Sequence, residues 1–223
     1  MIILVDPEDF KLKKQDFLEE LIENQLEEDI HLEYKRKIIK NNKIAKVFSA
    51  MANSDGGFVF FGIEEEDNKP SGLNPIDIAK TREKLDMIAR TGVTPPLYIR
   101  LHPIDVQVKE QKGQVFMVYI PKKYPLLHFA KKDHRFYKRS ESNSIPMEGH
   151  EIREAYRIYN ERERESNTII EATERQFFDK IDPHDIDILI LVKPDEYGSK
   201  LFELEQNLFD FLTENIPYLP KYR

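Results

Sequence analysis

Residues 50–64 read Ala-Met-Ala-Asn-Ser-Asp-Gly-Gly-Phe-Val-Phe-Phe-Gly-Ile-Glu, and this stretch constrains the fold more than any other. Just upstream, Ile44, Val47, Phe48 and Met51 are spaced three and four apart, which predicts a helix with one apolar face. Gly56-Gly57 permits positive φ and a tight reversal. Phe58 to Phe61 is a short, continuous run of apolar, β-prone residues, as a buried strand requires. Gly62 breaks the run, and Glu64, Glu65, Glu66 and Asp67 crowd its exit. A helix therefore enters a glycine turn, a buried strand leaves it, and carboxylates gather at the strand's end. The same residues also fit an ordinary helix–strand junction with a solvated acidic loop.

The flanking segments supply a domain around this junction. Residues 7–28 read as an acidic helix with Phe10, Phe17, Leu18, Leu21 and Ile22 along one side. Ile30 to Arg36 alternates, with Ile30, Leu32 and Tyr34 facing one way and His31, Glu33 and Lys35 the other. Asn68 to Gly72 is a turn cluster. Asn74-Pro75 is expected to open a helix running to about Arg90, with Asn as N-cap and Pro in the first turn. Leu97 to Val108 and Gln114 to Ile120 read as strands joined at Gln111-Lys112-Gly113. Leu126 to Ala130 and Arg135 to Lys138 form a second hairpin, turning at Lys132-Asp133-His134, and Gly149 to Asn167 is a charged helix. The expected fold is α+β, a mixed, largely antiparallel sheet with flanking helices. A boundary near Asn167 separates a domain of residues 1–167 from a C-terminal strand–helix extension, residues 168–223. One strand (Ile186 to Val192) and one helix (about Leu201 to Asn215) hold too little core to stand alone.

Composition narrows the class. The chain has 223 residues, 14 Phe and 10 Tyr, enough for a substantial core. No apolar run approaches the roughly 20 residues that span a bilayer, so a soluble protein with no membrane partner is expected. Met1 to Val5 is apolar but runs at once into Asp6-Pro7, which suits a first strand better than a leader. The absence of cysteine excludes disulfides and thiolate metal sites and fits a cytoplasmic location. The net charge of −7 argues against a bulk polyanion coat. Its distribution is uneven. Residues 1–35 hold eleven acids against four lysines, whereas residues 122–139 hold seven bases against one acid.

Two constellations could carry chemistry. Glu33 and Lys35 lie two apart on a strand and share a face, Glu28 lies just before that strand, and Glu64 ends the central one. If the strands are neighbours, Glu28, Glu33 and Glu64 converge near Lys35. Such carboxylates can hold Mg²⁺ or Mn²⁺, which activate water and neutralise charge building on a phosphate, while the lysine donates to the same oxygen. The competing reading leaves Glu33 and Lys35 as solvated residues on an exposed strand face. The second constellation is the basic hairpin region: Lys122, Lys123, Lys131, Lys132, Arg135, Lys138 and Arg139, interleaved with Tyr124, Phe129, Phe136 and Tyr137. Phosphates need the charge, and unstacked bases can lie on the rings. A hairpin with its rings inward and its lysines in water fits equally.

Several stretches resemble one family in the right order. Glu28-Asp-Ile-His-Leu-Glu33-Tyr-Lys35 is similar to the E-x-x-x-L-E-[FY]-K opening of the Schlafen AlbA-type domain. Ala50 to Glu65 resembles its A-x-A-N-[ST]-x-G-G signature and the hydrophobic strand and acids that follow. Gly72-Leu73, Val118-Tyr-Ile-Pro121 and Phe136-Tyr-Lys-Arg139-Ser140 resemble three further stretches, so the likeness runs from about Gln25 to Ile158. The resemblance implies an α+β domain that binds nucleic acid, sometimes described as a divergent ATP-binding domain. It also implies a set of three acids, which falls on Glu28, Glu33 and Glu64 or Glu65, with Lys35 as the accompanying lysine. Two departures stand out. The third acid of the family is often Asp, and Ser140-Glu141-Ser142 replaces a small Gly-Ser.

The expectation is therefore a nucleic-acid-binding protein, acting on RNA or DNA as a homo-oligomer, with Glu28, Glu33, Lys35 and Glu64 as a candidate nuclease site. Two other readings stay open. One is a metal-dependent endonuclease cutting RNA or single-stranded DNA. The other is a non-catalytic, dimerising scaffold that recruits a partner.

Overall fold

The structure, a computed structural model, describes residues 14–76 and 80–178. The chain divides into two compact units, Met1–Asn160 and Glu161–Arg223. This division falls earlier than the boundary read at Asn167, and the sites below all lie in the first unit. The expected strand at 1–5, and the strand and helix of residues 168–223, lie outside the described residues, except that one helix, α4, runs Gly149–Phe178 through the expected boundary.

The central sheet has the order β1-β2-β7-β6, built from Leu32–Lys35, Gly57–Phe61, Gln111–Ile120 and Arg100–Val108. β1 runs parallel to β2, and the other pairings are antiparallel. A parallel pair needs a crossover, and α2 (Asn41–Ala52) supplies it. Both faces of this sheet are covered, which explains the unbroken apolar run of β2. On one face Val59, Phe61, Phe116 and Val118 pack with Ile44, Phe48 and Met51 of α2. On the other, Tyr34, Phe60, Val115 and Met117 pack with Leu18 and Leu21 of α1 (Gln15–Glu23). α1 ends before the expected Glu28, because Gln25 leaves the helical path with a φ of 47°, and the expected residues 7–13 lie outside the described residues.

A second sheet, β10-β9-β8-β5, joins Asn143–Pro146, Arg135–Ser140, Phe129–Ala130 and Val93–Thr94, all antiparallel. A small hairpin pairs β3 (Ile63–Glu66) with β4 (Lys69–Leu73).

Three local expectations are corrected. The turn placed at Asn68–Gly72 is Asp67-Asn68, whose φ of 52° and 62° is the left-handed pair of a two-residue hairpin. The helix expected from Asn74-Pro75 begins only at Thr81, as α3 (Thr81–Met87), and continues as one π turn, Ile88–Gly92. Asn74 does not cap a helix because its side chain donates to the Arg36 carbonyl at 3.0 Å. Ile76 is drawn onto β7 by backbone bonds to and from Gln114 at 2.9 and 3.0 Å. The loop placed at Gln111–Gly113 is strand. The chain turns at Lys109-Glu110, and Gly113 is needed because a Cβ there would lie 2.8 Å from Pro75 Cβ.

Candidate functional site

The turn between α2 and β2 fastens three parts of the domain. The Ala52 carbonyl accepts from Lys123 N at 2.8 Å and Tyr124 N at 3.2 Å. Asn53 is buried, and its amide donates to the His128 and Tyr137 carbonyls at 2.7 and 2.8 Å while accepting from His128 N at 2.7 Å. Ser54 Oγ accepts from Arg139 N at 2.9 Å. Asp55 pairs with Lys122 at 2.5 Å. Gly56 and Gly57 hold φ of 72° and 150°. A Cβ on Gly56 would lie 2.7 Å from the Ile120 carbonyl oxygen, and one on Gly57 2.2 Å from that of His31. Only glycine fits such approaches. The turn thus clamps β9 and the end of β7 against the start of β1.

That clamp positions a buried cluster of charge. β1 is an edge strand, and its outward N–H at Tyr34 donates to Glu28 Oε1 at 2.6 Å. Glu33 faces the α2 side of β1. Its Oε1 lies 2.8 Å from Lys35 Nζ and its Oε2 2.6 Å from the Arg139 guanidinium of β9. Arg139 also donates to the Asp29 carbonyl at 2.9 Å. Lys35 Nζ reaches Glu65 at 3.4 Å and Glu28 at 3.7 Å. Glu28, Glu33 and Arg139 are 8%, 5% and 6% exposed, so the solvated strand face is not what forms.

Charge balance sets the proton count. Glu28, Glu33 and Glu65 face two cations, Lys35 and Arg139. Burial pushes the Glu28 carboxyl up from 4.5 to about 8. Lys35 and the Tyr34 N–H oppose that rise, while Glu33 and a hydrogen bond with Glu65 add to it. At neutral pH Glu28 therefore keeps its proton, leaving two carboxylates against two cations. Burial alone would lower the Lys35 ammonium, but Glu33, Glu28 and Glu65 outweigh it and hold the amine above its usual range.

Of the expected acids, Glu28 and Glu33 do meet at Lys35. Glu64 does not join them. It pairs with Arg36 at 3.0 Å on the surface, and its neighbour Glu65 turns toward the lysine. The β3 strand explains the choice, since successive residues face opposite sides and a bulge falls between Glu64 and Glu65. As arranged, the set does not fit Mg²⁺ or Mn²⁺. The ammonium stands where the carboxylates converge, and among the described residues no group of three or more His, Asp or Glu is disposed to hold a metal ion.

The basic residues divide. Arg139 is a buried partner of Glu33 rather than a surface contact, a correction that the alternation of β9 explains, because Tyr137 and Arg139 both turn inward. Lys138 is engaged by Glu151 at the start of α4, which holds the Glu151 carboxyl below its usual range. Lys122 is tied to Asp55, and Lys123 N is tied to the Ala52 carbonyl. Lys131, Lys132 and Arg135 are exposed around the β8–β9 turn, and Lys131 and Lys132 make no ion pair among the described residues. Sequence reading gave no role to Asn53, whose three hydrogen bonds tie the turn to His128 and to Tyr137 of β9, and left Glu64 and Glu65 open as the third acid.

The family match agrees with this fold. Nineteen chains of solved structures are similar. One is the crystal structure of the DIP2311 protein from Corynebacterium diphtheriae, 16% identical at a TM-score of 0.38, over 63% of this chain and 30% of that one. No curated protein matches. The family described as Schlafen, AlbA_2 matches residues 28–148, more than half of the chain, running from the first acid of the cluster past the β9–β10 hairpin. The chain belongs to the Schlafen AlbA_2 family.

Proposed function

We propose that this domain binds nucleic acid through the exposed cations of the β8–β9 turn. The observation that carries the reading is three cations, Lys131, Lys132 and Arg135, gathered and exposed at one turn, with no ion pair on Lys131 or Lys132 among the described residues. Free ammonium groups can exchange counterions for phosphates, whereas Lys35 and Arg139 cannot without leaving carboxylates unpaired. Family membership supports a nucleic-acid-related role at the level of the family. The test is binding of a labelled strand across a salt series. Affinity is expected to fall steeply as salt rises, and Lys131→Glu with Lys132→Glu and Arg135→Glu is expected to abolish it. Equal affinity in that variant would move the interface elsewhere.

A second reading, phosphodiester cleavage, is favoured by one observation: Glu28 and Glu33 lie 3.7 and 2.8 Å from Lys35, and burial raises the Glu28 carboxyl toward the range of a proton donor to a leaving oxygen. Cleavage that disappears in Glu33→Gln and persists in EDTA would support it. No cleavage under any metal condition would leave the cluster a structural one.

A further inference from the structure

We infer that the groove between the start of α2 and the π turn is a slot for one unstacked base of a single-stranded nucleic acid, an inference that rests on the interface proposed above. The groove has a volume of about 310 Å³, room for a nucleobase and part of its sugar. Its floor is apolar. Ala45 and Ile88 are buried there, and Gly92 leaves the floor open, since a Cβ on it would lie 3.2 Å from Ala45 Cβ. Met87, 49% exposed, adds a polarisable thioether at the edge, suited to the face of a ring.

The rim is polar in a way that matches a base edge. Asn41 and Asn42 line it, and neither amide has a hydrogen-bond partner among the described residues. Each carries donors and an acceptor, the combination a Watson–Crick edge presents in return. Thr91 donates its hydroxyl to the Met87 carbonyl at 2.7 Å, which leaves its oxygen free to accept. Lys131 and Lys132 close the remaining side, so a phosphate held by the unpaired lysines would place its base over the groove. A base inside a duplex cannot enter such a slot. Charge complementarity thus chooses a polyanion, and the apolar floor with amide edges chooses one that carries bases.

The experiment compares two labelled strands of equal length and charge, one with bases and one made of abasic sugar-phosphate. The base-bearing strand is expected to bind about tenfold more tightly, the scale of one base contact. In Asn41→Ala with Asn42→Ala, and separately in the groove-filling Thr91→Trp, that ratio is expected to fall toward one. All three positions are at least partly exposed, so both variants should fold. Equal binding of the two parent strands overturns the slot while leaving the lysine interface standing. A ratio that survives both variants also overturns it. If neither strand binds, the interface falls and the slot with it. Competition by polyglutamate as effective as by the base-bearing strand would show a site for acidic protein instead.

Discussion

Lys35 and Arg139 on one side, and Lys131 and Lys132 on the other, are the same kind of residue in sequence and opposite kinds in the fold. The first pair is enclosed by Glu33, Glu28 and Glu65, with Arg139 6% exposed and its guanidinium spent on a carboxylate and a carbonyl. The second pair stands in water at a turn with no ion pair among the described residues. A local excess of positive charge is therefore not the same as available positive charge. What separates them is the Asn53–Gly57 turn, which pulls β9 inward at Arg139 and leaves the β8–β9 turn outside.

Removing a buried partner should show this contrast most strongly. Arg139→Ala strands Glu33 and Lys35 in a buried site with the charge unbalanced, and should destabilise the domain by about 3–5 kcal/mol. Urea unfolding followed by circular dichroism measures it. Lys131→Ala should change stability by less than about 0.5 kcal/mol in the same assay. Similar losses in the two variants would erase the distinction.

The next effect is a pH dependence. Glu28 titrates near 8 in the folded protein against an ordinary 4.5. Folding therefore takes up a proton between those values, so stability should fall as pH rises from about 4.5 to about 8, by at most about 1.4 kcal/mol per pH unit, and level off above. Below 4.5 both states hold the proton and Glu28 contributes no slope. Glu28→Gln keeps an oxygen for the Tyr34 N–H and should flatten this part of the profile. A parent profile that rises with pH across this window would show that Glu28 is ionised in the fold.

Much of this was legible. The apolar run 58–61 and the helix before it were read as a buried strand and its entering helix, and strand alternation placed Glu33 beside Lys35; that the strand pairs parallel with 32–35 came only from the fold. The burial of that face was not legible, because it depends on Arg139, far away in sequence, arriving to neutralise it. The inward alternation of Tyr137 and Arg139 carried the signal, but a basic run read as a surface concealed it. The helix at Asn74-Pro75 failed for a similar reason: two good local start signals lost to backbone pairing with β7.

At the exposed turn the effect is on binding rather than folding. Lys131→Glu with Lys132→Glu should weaken a labelled strand by about tenfold or more at low salt and reduce the salt slope, while the melting temperature stays within error. Lys122→Glu should weaken it less, since that lysine is already shared with Asp55. An equal loss in both variants would make the ion-paired lysine as available as the free ones and break the contrast.

The smallest effect distinguishes two adjacent acids. Glu64 pairs with Arg36 where both side chains are well exposed, at 39% and 68%, and exposed pairs contribute about 0–1 kcal/mol. Glu64→Ala should therefore leave unfolding nearly unchanged and leave the Glu28 titration where it is. Glu65 is about as exposed, yet it reaches Lys35 and raises Glu28 through a hydrogen bond. Glu65→Ala should cost little stability as well, but it should lower the Glu28 pKa, because the acid that favours a proton on Glu28 is gone. Carboxyl chemical shifts followed by NMR across pH would show the difference. If Glu64→Ala moves the Glu28 titration and Glu65→Ala does not, the bulge in β3 sends the other residue inward, and the acid trio is the one the sequence first suggested.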